Sequence, residues 1–265
     1  MSDARPAGTP GDPHADPRVP HPHGAAGALA AAASLHAIDA RRTRLKVCCI
    51  ASVDEARTCI AHGADALGLV SAMPSGPGVI DEARIAEVAR RVPPPVATFL
   101  LTAQTDAAAI VAQVRRCGVD TVQLVDALAV DAYAALRDAL PAVRLVQVIH
   151  VLDDASVHEA ERAAPHVHAL LLDSGNPRLA VKELGGTGRV HDWALSRRIR
   201  DAVDVPIFLA GGLRPDNVAH AIRTVRPFGI DVCSGVRTGG RLDATKLDAF
   251  VAALQEADAE RRAHS

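Results

Sequence analysis

From Leu45 onward the chain repeats one unit: a short apolar run, a polar or glycine-containing loop, then a stretch with apolar positions at helical spacing. Eight such units can be counted. The apolar runs predict strands over residues 46–50, 66–70, 96–101, 121–124, 143–149, 169–172, 207–210 and 229–232. The intervening stretches predict helices over 53–62, 82–92, 107–117, 131–140, 157–164, 193–202, 216–225 and 244–257. Strands that alternate with helices run parallel, and eight units are what a closed barrel requires. The chain therefore reads as α/β, a single (β/α)8 TIM barrel with a disordered N-terminal extension. An open doubly wound sheet is the alternative. Against it, the first strand-to-helix connection, Ile50-Ala51-Ser52, lacks the Gly-x-Gly-x-x-Gly dinucleotide fingerprint.

Residues 1–24 alternate Pro, Gly, Asp, Ala and His without apolar periodicity, too little to offset the entropy of ordering them. His14, His21 and His23 lie there, but a flexible Pro-rich tail offers a metal no fixed geometry. Residues 25–40 are Ala-rich, with helix propensity but few large apolar groups, and read as a loose helix on the barrel's outside or as nothing. The expected division is an extension over 1–44, a barrel over 45–258 and a tail over 259–265.

At 265 residues and 49% hydrophobic content, a single buried core is well supplied. A net charge of −2 and 2% aromatics supply neither a field for nucleic acid nor stacking platforms. The five cysteines show no zinc-type pair and read as reduced thiols. No apolar stretch reaches the roughly 18 residues of a membrane span, and the N-terminus lacks a signal pattern. A cytoplasmic protein, monomer or homodimer, with no nucleic-acid or membrane partner is expected.

In such a barrel the C-terminal strand ends converge on one mouth, whatever their separation in sequence. Cys48 in the first strand, Asp173 after the sixth, Gly211 and Gly212 after the seventh, and Ser234 and Gly235 after the eighth would all face it. Alternation along a strand puts Lys46, Cys48 and Ile50 on one side and Cys49 on the other. A lysine below a thiol favours thiolate, so Cys48 is a candidate general base; as a small buried hydrophobe it would be inert. Asp173 ends the run Ala169-Leu170-Leu171-Leu172, where partial desolvation favours a proton-donating carboxyl; capping the next turn is its other reading. Asp231 and Asp192 are rival carboxylates, Asp192 reading as the N-cap before Trp193. Phosphate needs several backbone N–H groups at close range, which the glycine pairs allow, although tight turns use them too.

Several motifs then stand together: Lys46-Val47-Cys48, the run from Gly63 to Val70, Val122-Gln123-Leu124, Leu171-Leu172-Asp173, and Gly185-Gly186-Thr187-Gly188 leading to Asp192-Trp193. They continue with Leu209-Ala210-Gly211-Gly212-Leu213 and Asp231-Val232-Cys233-Ser234-Gly235-Val236. In combination the chain resembles the phosphoribosylanthranilate isomerase family over residues 45–250. The resemblance implies an Amadori-type aldose–ketose isomerisation in tryptophan biosynthesis, with no cofactor or metal and a small phosphorylated aminosugar as substrate. It implies Asp173 as the acid that opens the ribose ring and Cys48 as the base at C2. Gly211, Gly212, Ser234 and Gly235 would bind phosphate, and Lys46, Gln123, Gly186, Asp231 and Arg237 are the remaining candidate substrate-binding residues.

The departures cluster. Where the family carries Ser-Pro-Arg-x-Val, with the arginine set for the anthranilate carboxylate, this chain reads Ser75-Gly76-Pro77-Gly78-Val79. Losing a bidentate guanidinium costs on the order of 1.5–3 kcal/mol. The glycine after the family's catalytic cysteine is Cys49 here, the family's Gln-Leu-His-Gly reads Gln123-Leu124-Val125-Asp126, and the Glu after Ser-Gly-Val is Arg237. One reading is a divergent isomerase in which Arg237, Arg178 or Lys182 replaces the missing arginine. The others are a paralogue acting on a different phosphorylated aminosugar and a non-catalytic phosphosugar-binding barrel.

Overall fold

The computed structural model describes Met1, residues 42–186 and residues 188–263. The expectations for the histidines of the N-terminal extension and for its Ala-rich stretch lie outside these residues. Eight strands, β1 (Arg44–Val47), β2 (Ala66–Val70), β3 (Ala97–Thr102), β4 (Thr121–Leu124), β5 (Arg144–His150), β6 (Ala169–Asp173), β7 (Ile207–Leu209) and β8 (Gly229–Val232), form a closed barrel. All neighbours pair in parallel, and β8 closes on β1 with Lys46 opposite Asp231 and Val47 opposite Val232. Helices α1 (Val53–Ala61), α2 (Glu82–Ala89), α3 (Ala107–Cys117), α4 (Val130–Ala139), α5 (Ala155–Ala163), α6 (Trp193–Ala202), α7 (Val218–Val225) and α8 (Ala244–Ala263) alternate with them.

Each strand buries both faces, which is why the strands read as continuous apolar runs. Outward residues such as Leu67, Leu69, Leu100, Ile149, Leu170 and Leu172 join the main core beneath the helices. Inward residues, among them Val70, Phe99, Leu101, Val148, Leu171 and Phe208, fill the lumen as a second cluster. Phe208 meets Phe99 and Phe228 edge to face, at 5.9 and 5.4 Å between ring centroids.

Several helix starts are set by local chemistry. Ser52, Asp81 and Asp106 accept from backbone N–H groups three residues on, and Asp192 accepts from the amides of Ala194 and Leu195, as its reading as an N-cap requires. The last helix runs to Ala263, past the expected barrel end at 258. At that point it carries Asp258, whose carboxylate accepts from the amide and hydroxyl of Thr43 at the entrance to β1. A two-stranded ribbon, β9 (Arg237–Thr238) and β10 (Arg241–Leu242), links β8 to α8.

Candidate active site

The C-terminal strand ends open onto a cleft. Cys48, Gln123, Asp173, Gly186, Gly211, Gly212, Asp231 and Ser234 all line it. Gln123, Asp173 and Asp231 face inward by the alternation that puts Val122, Leu124, Leu172 and Val232 outside.

Lys46 lies below the wall, wholly buried, with its Nζ 2.7 Å from Asp231 Oδ2 and 5.3 Å from the centroid of Phe99. Burial alone would favour its neutral form, but the charge and hydrogen bond of Asp231, together with the nearby Cys48 and Cys49, more than offset that and hold the ammonium above the ordinary lysine value. The second oxygen of Asp231 and Oε1 of Gln123 are buried without a hydrogen-bond partner among the described residues. Two acceptors of this kind are costly unless something donates to them.

Asp173 ends β6 opposite His150. Its Oδ1 accepts from the Ser174 amide at 2.7 Å, and its Oδ2 faces Gly185. Burial raises its carboxyl above the usual aspartate value, only partly countered by the Ser174 amide and by His150. His150, not singled out in the sequence, donates through Nε2 to the Val125 carbonyl, 3.0 Å away. Its position follows from the inward phase of Val146 and Val148 along β5.

The loops after β7 and β8 form one corner of the cleft. Asn217 pins the first, donating to the Gly212 carbonyl and accepting from the Arg214 amide. Gly235 sits behind the lining, where an added Cβ would stand 2.0 Å from the Leu213 carbonyl oxygen; only glycine lets the two loops approach. Across the mouth, the Ser75 hydroxyl donates to the Lys182 carbonyl at 2.6 Å, joining the loop after β2 to the loop after β6.

Two expectations are corrected. Cys49 does not point away from the cleft: it lines it beside Cys48, and Ile50 packs in the outer core instead of sharing a side with Lys46. Strand alternation holds only for extended backbone, and β1 ends at Val47, with Cys49 in the left-handed region at φ 64°. Its sulfur lies 2.6 Å from that of Cys233, which also faces the cleft. The signal was present in the sequence: a cysteine stands where the family signature has glycine, the residue suited to that conformation.

Arg237 is not at the cleft either. Its guanidinium donates to the carbonyls of Cys48 and Cys49, at 3.2 and 2.6 Å, and to Gly240, and pairs with Glu55. Burial would raise the Glu55 carboxyl, but hydrogen bonds from Arg237 and the amides of Ala51 and Leu242 bring it below its usual value. Arg237 thus clasps the turn that carries Cys48. Arg178 pairs with Asp153, and Lys182 pairs with Asp126. Among the described lining residues there is no arginine or lysine.

A closed parallel barrel with a carboxyl and a thiol at its C-terminal mouth, and glycine loops after β7 and β8, places the chain in the class of (β/α)8 barrels, whose functional residues gather at that mouth. The family model for N-(5'-phosphoribosyl)anthranilate (PRA) isomerase matches residues 45–253. The chain belongs to this family. It is 37% identical over 210 residues to N-(5'-phosphoribosyl)anthranilate isomerase 2 of Methanosarcina mazei, spanning 78% of this chain and 92% of that protein. With the isomerase of Haloferax volcanii it shares 39% over 217 residues, 81% of this chain and 94% of the relative. Its fold is similar to phosphoribosyl anthranilate isomerase from Thermotoga maritima, with a TM-score of 0.70 and 26% identity over 81% of this chain and 99% of that one.

Proposed function

We propose that this chain is an N-(5'-phosphoribosyl)anthranilate isomerase of tryptophan biosynthesis, converting an aminoaldose phosphate into the corresponding aminoketose. The observation that carries the reading is the convergence of Asp173, with its raised carboxyl, and Cys48 on one cleft whose far corner is the glycine loops after β7 and β8.

Asp173, whose burial favours the protonated carboxyl, donates to the ribose ring oxygen, and the ring opens to a protonated Schiff base. Cys48, as thiolate, takes the C2 proton, and the electron pair left behind forms the enolamine. Tautomerisation of the enolamine gives the ketone. The Lys46 ammonium below Cys48 attracts the negative charge on the base. The unpartnered oxygens of Gln123 and Asp231 suit sugar hydroxyls as donors. Gly211, Gly212 and Ser234 supply the phosphate corner, with Gly235 behind them and Gly186 on the loop opposite.

A solved phosphoribosyl anthranilate isomerase holding reduced 1-(o-carboxyphenylamino)-1-deoxyribulose 5-phosphate shares the fold, with a TM-score of 0.68. Neither the reading as a different aminosugar isomerase nor that as a non-catalytic barrel gains support from the relatives. Among the described residues no helix is long and apolar enough to cross a membrane, in keeping with a cytoplasmic enzyme. The test is turnover of N-(5'-phosphoribosyl)anthranilate by purified protein, together with growth of a tryptophan-requiring strain that lacks the isomerase. Failure of both sinks the proposal.

A further inference from the structure

We infer that Cys49 and Cys233 form a reversible thiol–disulfide site in the wall of the cleft, closed by a low-molecular-weight disulfide and distinct from the Cys48 base. The two sulfurs lie 2.6 Å apart, on residues 184 positions apart in the chain, and both line the cleft through which such an oxidant would reach them. Neither residue belongs to a regular strand. Cys49 takes the left-handed turn beyond β1, and Cys233 leaves β8 at φ −125° and ψ −82°. The turn at Cys49 carries its side chain off the alternation and toward β8.

The space around Cys49 holds it there. A Cβ on Gly78 would stand 2.4 Å from the Cys49 Cβ, so the loop after β2 closes one side, and the Pro77 carbonyl lies 3.7 Å from the sulfur. The sulfur meets Cys233 on the β8 side, with the Cys48 thiol as its other neighbour. The contact between the sulfurs raises the Cys49 thiol and lowers that of Cys233, with the Arg237 charge also favouring a Cys233 thiolate. Cys233 is accordingly the attacking sulfur and Cys49 the resolving one. Cys59 and Cys117 are poor competitors: both are buried in the outer core, and burial pushes their thiols to about 12 and about 11.

The chemistry balances. The Cys233 thiolate attacks one sulfur of the oxidant's disulfide and expels the other half as thiolate. Cys49 gives up its proton and attacks the mixed disulfide at Cys233, expelling the second half. Two electrons pass from the protein thiols to the oxidant, which leaves as two thiols. The closed pair ties the end of β1, next to Cys48, to the end of β8, next to Ser234, so closure acts on the base and the phosphate corner together.

The experiment treats full-length wild type with oxidised glutathione and reads thiols, intact mass and the cross-linked peptide. The inference expects two of the five thiols to vanish, the mass of two hydrogens to be lost, and one peptide pair joining Cys49 to Cys233. Turnover should fall roughly tenfold or more, as expected when a catalytic group is displaced, and return with dithiothreitol. Cys49→Ser should hold glutathione on Cys233 as a stable adduct. The cross-link is read by mass and stands apart from the isomerase reading; only the turnover arm rests on that reading. Absence of an internal cross-link, a cross-link through Cys48, or a closed form that turns over at the reduced rate overturns the inference.

Discussion

Lys46 and Asp231 face each other across the β1–β8 seam that closes the barrel, their charged atoms 2.7 Å apart and sealed beneath Cys48. A buried pair of this kind is expensive to break from one side, because the survivor keeps its charge without its partner. Lys46→Met should lower stability by about 3–5 kcal/mol, read from urea unfolding, and the double change Lys46→Met with Asp231→Leu should recover most of it. Equal losses in the single and double variants would remove the pair from the account.

The acid and base roles predict a kinetic split. Asp173→Asn and Cys48→Ala should each lower kcat by about 100- to 10,000-fold with a modest change in KM, since both groups act in proton transfer. The wild-type profile should be bell-shaped, needing Cys48 ionised and Asp173 protonated. A rate that stays flat through the thiol range would count against Cys48.

His191 sets an acid limit on the fold. Burial pushes its imidazole down to about 4 from an ordinary 6.5, and its Nε2 lies 2.7 Å from the Ser196 hydroxyl. Between these two values the unfolded chain binds the proton and the folded chain does not. Stability is therefore full above 6.5 and erodes as pH falls toward 4, by roughly 3 kcal/mol. Urea midpoints at pH 7 and pH 4.5 should differ less in His191→Asn than in wild type.

Arg237 joins stability to catalysis. Arg237→Leu strands the Glu55 carboxylate and the Cys48 and Cys49 carbonyls, and should cost about 3–5 kcal/mol in urea unfolding. Arg237→Lys keeps the charge but lacks the planar fork, so it should fold and still lose turnover, with kcat falling more than KM rises. The lowered Glu55 carboxyl gives stability that is present above its ordinary value near 4.5 and is lost as pH falls through the folded value.

The barrel was legible because its strands are buried on both faces: runs such as Ala169–Asp173 have almost no polar residue to blur the period. The inward phase of Cys48 followed from simple alternation, and the place of Asp173 at the mouth from its position at a strand end. What alternation missed begins where extended backbone ends. Cys49 required knowing that the chain turns left-handed there. Arg237 required knowing that the short turn after β8 carries a cation behind the lining, to the carbonyls just past the end of β1, instead of into the cleft. Local periodicity cannot report a contact between residues some 190 positions apart.

The Arg237 clasp also bears on the order in which the enzyme becomes competent. The turn that presents Cys48 is made near the beginning of the barrel, yet the guanidinium that gathers its carbonyls and the Leu242 amide that completes Glu55 come from its last quarter. During synthesis the thiol emerges early and waits, without its final geometry, until the closing βα unit docks. The site is therefore incomplete without the closing βα unit: its competence depends on contacts between the two ends of the barrel, whose closure is entropically costly.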